Sequence, residues 1–291
     1  MNVLLFDVDG VLVADRAYRL GVIATLDYFG SLMGLRLPVI DEAAIEVFHA
    51  HGYTNEWDIC PFGVGVMLIE ALTRLPDARL VAASPIGLAE QCKTDYFDRM
   101  PFGRYLDRSD QVQGTPSARA AAVLLPAADQ LILRDEARAA VQSALRDLLT
   151  DPYDIARTET TQIFQEHVLG SAAYEETYQL RPRFDLPSLL YTADRPLLDA
   201  AHRRRLDEWT QADRARICVY TARPSLPPFD SYTVRMQRPA GFSPEAELAV
   251  QLVNLPDYPL IAMGRMQWLA QQTDQRVEAL TKPAPVQALA A

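Results

Sequence analysis

The chain opens on four consecutive apolar residues, Val3, Leu4, Leu5 and Phe6, and then two carboxylates appear abruptly at Asp7 and Asp9, followed by Gly10. A short apolar run of this kind predicts a strand buried on both faces, as in parallel sheets covered by helices. Asp7 is then expected at the carboxyl end of the strand with Asp9 just beyond it, where open parallel sheets bind ligands.

Helical spacing follows at Val22, Ile23, Leu26, Phe29 and Met33, which predicts a helix over residues 16–33. Asp41 is placed to cap a second helix through Ile45 and Phe48 to Gly52, and a third is expected over residues 64–75. The intervening Gly52-Tyr53-Thr54-Asn55-Glu56-Trp57-Asp58 suits either helix capping or a pocket wall. Residues 80–83 read as a short strand, and residues 100–126, which carry Gly, Pro, Ser and Asp without clear periodicity, as a surface insertion.

Val141, Ala144, Leu145 and Leu148 mark an amphipathic helix over residues 136–149, and residues 158–178 read as helix interrupted near Gly170. Pro182, Pro187 and Pro196 predict a linker. Beyond it come a helix over 197–212, a buried strand over 217–220 ending at Thr221-Ala222-Arg223, and a helix from Ser243-Pro244 to 255. A third strand is expected over 260–263, a short helix over 266–272, and a last helix opening at residues 281–285.

This alternation predicts an α/β protein. Its Rossmann-like parallel sheet core is expected to be built from residues 1–14 and 195–291, with a mostly helical cap at 15–194 enlarged by the 76–135 insertion.

Composition narrows the functions. Hydrophobic residues make up 49% of the 291 and charged residues 23%, the balance of an ordinary globular protein. A net charge of -10 argues against a nucleic-acid partner, and Arg203-Arg204-Arg205 reads as a solvated helix face. Cys60, Cys92 and Cys218 fit neither a zinc pattern nor a disulfide framework, so a reducing cytoplasm is expected. No apolar run is long enough to span a membrane, and no signal peptide is visible.

Asp7 and Asp9 repel each other unless a cation or a shared proton intervenes, which suggests a hard-metal site or a nucleophile with its acid–base partner. The same residues with Gly10 also suit a plain strand-ending turn. An EF-hand is excluded because apolar Val11 and Leu12 occupy positions that need oxygen ligands. Taken singly, Thr221 reads equally well as a turn residue, and Lys282 reads rather as a surface lysine before a proline.

Taken together, Leu5-Phe6-Asp7-Val8-Asp9-Gly10-Val11, Val219-Tyr220-Thr221-Ala222-Arg223 and Lys282-Pro283, in that order, resemble the motifs of the haloacid-dehalogenase-like superfamily. The Gly52 to Asp58 and Phe164 to Tyr178 stretches look like the helical cap of its phosphoglycolate-phosphatase-like subgroup. The resemblance implies Mg2+-dependent hydrolysis of a small phosphorylated metabolite through an aspartyl-phosphate. It implies Asp7 as nucleophile, Asp9 as acid–base, and Thr221 and Lys282 as donors to the phosphoryl group. Asp7 and the Asp9 carbonyl would hold Mg2+, and Gly10, Asn55, Asp58 and Arg223 would contact substrate. A phosphomutase, or a catalytically silent binding or regulatory protein, is the alternative.

The chain departs from the family pattern in one respect. No apolar strand ending in paired acids follows Lys282, and Asp230, Glu245, Glu247, Asp257, Asp274 and Glu278 do not supply one. The expectation is a fragment of a longer product that binds Mg2+ poorly.

Overall fold

The computed structural model describes residues 2–75, 80–93, 100–228, 242–282 and 284–291. The elements run β1 (Asn2–Phe6), β2 (Val13–Ala14), α1 (Ala17–Leu32), α2 (Glu42–Ala50), α3 (Glu56–Thr73), α4 (Pro85–Gln91), α5 (Phe102–Ser109), α6 (Pro116–Asp129), α7 (Asp135–Leu149), α8 (Glu159–Leu169) and α9 (Ser171–Tyr178). They continue with α10 (Leu189–Thr192), β3 (Arg195–Pro196), α11 (Ala200–Gln211), β4 (Ala215–Tyr220), α12 (Glu245–Leu252), β5 (Leu260–Ile261), α13 (Met263–Thr273) and α14 (Val286–Ala290). The protein is α/β, and its contacts divide it into two units, Met1–Ala17 with Leu169–Ala291, and Tyr18–Val168.

The first unit carries a parallel sheet of order β1-β4-β5. Phe6 pairs in register with Val219, and Val219 with Leu260, so the three strands end close together at their carboxyl ends. Alternation along β4 sends its side chains to two clusters. Val219 packs with Val8, Leu12, Ala249, Val250 and Val253, whereas Cys218 packs with Ile261, Met266, Ala270 and Leu280.

The first strand departs from expectation in burial. Val3 is 60% and Leu5 39% exposed. Among the described residues β1 is paired only with β4, which makes it an edge strand with incomplete cover. Its hydrophobicity was legible, but its place in the sheet depends on non-local pairing.

The segment 169–194, expected outside the core unit, belongs with the sheet. The Ser171 hydroxyl donates to the Phe184 carbonyl and accepts from Leu186 N–H, and β3 pairs antiparallel with β2. Gly170 separates α8 from α9 at φ +78°, and a Cβ there would lie 2.6 Å from Ser188 N. The Ser243-Pro244 start is also modified. Pro244 is the N-cap of α12, and Ser243 spends its hydroxyl on Glu245 Oε1 (3.0 Å) instead of capping.

In the second unit, α3 is buried all round, the pattern of a helix enclosed by others. It begins eight residues earlier than the spacing suggested, because the Asn55 side chain caps it by accepting from Trp57 N–H at 2.8 Å. Gly63 and Gly65 admit close neighbours, since an added Cβ would lie 2.8 Å from Leu26 Cδ2 and 2.8 Å from Leu124 Cδ1 respectively. α7 matches its predicted face, burying Val141, Ala144, Leu145 and Leu148.

Two expectations fail here. Residues 80–83 form no strand; they lead into Ser84, whose side chain caps α4. Residues 100–126 are largely helical, forming α5 and most of α6, with Phe102, Tyr105, Leu106, Val123 and Leu124 buried. Thr115 and Pro116 are the cap and first residue of α6, so turn-forming residues start a helix here rather than a loop. No helix among the described residues is long and apolar enough to cross a membrane.

Candidate active site

The sheet register explains how distant residues converge. Asp7 follows Phe6 directly, and Thr221 follows Tyr220 at the end of the adjacent parallel strand, so both leave the sheet at the same end. The chain then turns back immediately after β1. Val8 O accepts from the Leu12 and Val13 N–H groups, both at 2.9 Å, and Gly10, at φ +73°, donates its N–H to Val13 O at 2.9 Å. This tight turn holds Asp7 and Asp9 on a short, constrained backbone.

Asp7 is partly exposed and bonded at both oxygens. Oδ1 accepts from Val8 N–H at 2.8 Å, and Oδ2 from the Lys282 ammonium at 2.7 Å. Lys282 arrives from the far end of the chain, and its Nζ lies 4.1 Å from the centroid of the Tyr220 ring, a cation–π contact that helps to orient it. Pro283, the other half of that motif, lies outside the described residues.

Thr221 is fully buried. Its N–H donates to Ile261 O (3.0 Å) and its hydroxyl oxygen accepts from Arg223 N–H (3.1 Å), a contact that does not use the hydroxyl proton. Gln287 of α14 donates from Nε2 to both Thr221 O (2.6 Å) and Ile261 O (3.1 Å), tying the ends of β4 and β5 together.

Asp9 meets Arg223 through one oxygen. Nε and Nη2 of the guanidinium approach Oδ1 at 2.8 and 2.6 Å, and Nη2 also reaches Asp194 Oδ2 at 2.9 Å. Burial raises the Asp9 carboxyl above its usual range, against the lowering charge and hydrogen bonds of Arg223, while Asp15 and Asp7 add to the rise. The Arg223 side chain is 1% exposed and clasped by two carboxylates, so it is an internal brace rather than an open substrate contact.

Asn55 and Asp58 lie in the second unit, where both have structural partners. Asn55 caps α3, and buried Asp58 accepts at Oδ2 from the Tyr153 hydroxyl at 2.7 Å. Trp57 packs against Tyr153, with ring centroids 5.5 Å apart.

Asp194 was missed by sequence reasoning. It carries no local signature, standing between a short helix and a two-residue strand. Only the side-chain demand of a buried Arg223 for a second counter-charge could have pointed to it.

The residues present do not make a preformed site for Mg2+. That ion prefers six oxygen ligands, yet Asp7 Oδ2 is engaged by Lys282 and Asp9 Oδ1 by Arg223. Among the described residues no group of three or more His, Cys, Asp or Glu is placed to hold a metal. Asp230 lies outside the described residues.

No family model and no curated protein matches this chain. One solved crystal structure, described as a structural genomics target, is similar with a TM-score of 0.64 and 16% sequence identity. The match covers 100% of this chain and 77% of that one. At that identity the likeness supports the α/β fold alone.

Proposed function

We propose that the protein is a phosphomonoester hydrolase of the haloacid-dehalogenase-like kind that acts on a small phosphorylated metabolite through an aspartyl-phosphate on Asp7. On this reading the helical unit is its cap. The supporting observation is the Lys282–Asp7 pair at 2.7 Å, with Thr221 following the adjacent parallel strand, so that three distant parts of the sequence meet at one end of the sheet.

The proposed chemistry follows from these groups. The Asp7 carboxylate attacks phosphorus, forming a P–O bond while the ester P–O bond breaks, and a proton from Asp9 goes to the leaving oxygen. Water then attacks the acyl-phosphate with Asp9 taking its proton, which releases inorganic phosphate and restores Asp7. Lys282 has three donors, so it can hold Asp7 and a phosphoryl oxygen together. The Thr221 hydroxyl would be the second donor, which requires its fully buried side chain to be uncovered as phosphate binds; such donors act most strongly where charge develops in the transition state. Magnesium dependence is proposed with this reading; Asp7 and the Asp9 carbonyl would hold the ion, which would supply positive charge toward the phosphoryl oxygens.

A silent binding protein is the second reading, favoured by the ion pairs that already engage both carboxylates. Release of inorganic phosphate from a panel of small phosphate monoesters, with and without Mg2+, separates the two. Turnover that disappears in Asp7→Asn is expected; absence of turnover on every ester favours the silent protein.

A further inference from the structure

We propose that Asp194 is a positioning residue for Asp9, acting through Arg223; this rests on the phosphoryl-transfer reading above. Asp194 is remote in sequence from both partners, and its side chain is 1% exposed. Its two oxygens do different work. Oδ1 accepts from the backbone N–H groups of Arg16 and Ala17, each at 2.8 Å, which anchors the carboxylate to the chain just after the acidic turn. Oδ2 receives Arg223 Nη2 at 2.9 Å.

Arg223 is fixed at its other end as well. Its N–H donates to the Thr221 hydroxyl, and its carbonyl accepts from Met263 N–H at 3.2 Å. The guanidinium is planar and its donors are rigidly arranged, so securing Nη2 at Asp194 also sets where Nε and Nη2 meet Asp9. Both contacts to Asp9 fall on Oδ1. The rotation of that carboxylate is thereby fixed, and Oδ2 is the oxygen left by Arg223 for proton exchange with the leaving group.

A general acid works only within hydrogen-bond reach of the atom it protonates, and a displacement of about 1 Å can cost on the order of 10²-fold in rate. Asp194 therefore supplies alignment without touching the substrate. Replacement by Asn isolates that role, because its amide oxygen can still accept from Arg16 and Ala17 while its NH2 group, a donor, faces the guanidinium. The charge that orients Arg223 is lost, and the backbone anchor survives.

The test compares kcat/KM for an alkyl phosphate, whose leaving oxygen needs a proton, with that for p-nitrophenyl phosphate, whose leaving group departs readily without one. Asp194→Asn is expected to lose at least about tenfold on the alkyl ester and less than about threefold on the aryl ester. Arg223→Lys keeps a buried charge but lacks the fork, and the same selective loss is expected from it should Asp194→Asn fold poorly. Equal losses on the two esters, or none on either, would overturn the positioning role while leaving the hydrolase reading intact. A wild-type protein inactive on both esters would overturn the hydrolase reading and this inference with it.

Discussion

Replacing Lys282 by Met separates what the residue does for the fold from its proposed role toward phosphate. In the resting protein the Lys282–Asp7 pair is partly solvated, with side-chain exposures of 29% and 36%, so it contributes no more than about 1 kcal/mol. The ammonium over Tyr220 adds about 0.5–1 kcal/mol. Met keeps most of the apolar stem, and the stability loss is expected to stay below about 2 kcal/mol. On the proposed hydrolase reading the same ammonium would meet, in the transition state, a phosphoryl group gaining charge, where losing one placed donor costs about 3–4 kcal/mol, or on the order of 10²–10³ in kcat. Thermal melts and steady-state hydrolysis of an aryl phosphate on one preparation read both quantities. A folded Lys282→Met protein with kcat within about threefold of wild type would refute the assignment of Lys282 to the phosphoryl oxygens.

The other predictions concern stability. Burial raises the Glu247 carboxyl from 4.5 to about 7, against hydrogen bonds from its own and the Leu226 N–H groups, with Glu245 adding to the rise. The unfolded chain therefore releases this proton first, and Glu247 makes stability fall as pH climbs from about 4.5 through about 7, with no further fall above. Denaturant titrations should show Glu247→Gln lacking that fall; identical slopes in the two proteins would contradict it. Gly65→Val should cost about 1–3 kcal/mol by forcing Leu124 aside, read as a lower denaturation midpoint at unchanged m-value. Asn55→Ala should cost about 1 kcal/mol through the lost cap of α3, measured the same way.

What was legible in the sequence followed local rules. Asp7 and Thr221 each follow an apolar run and Lys282 precedes a proline, and two of the three strand ends could be placed from hydrophobic runs of strand length. α7 was legible because its apolar spacing is regular, and α2 because Asp41 marks its start. The exposure of Leu5 was not, since apolar runs of edge and central strands look alike until the partners are known. Residues 102–109 were obscured by Gly103 and flanking polar residues, although Phe102, Tyr105, Leu106 and Ser109 have helical spacing. Asp194 shows the remaining limit. Its partners Arg16, Ala17 and Arg223 are assembled only by the tertiary fold.

The central claim is that Asp7 becomes covalently phosphorylated. Rapid acid quench of the wild-type protein during turnover, followed by mass spectrometry of its peptides, measures this directly. The account predicts one added phosphoryl group on the peptide that carries Asp7, formed and lost at rates compatible with turnover and absent from Asp7→Asn. Phosphate release without any such adduct, or with undiminished rate in Asp7→Asn, would contradict it.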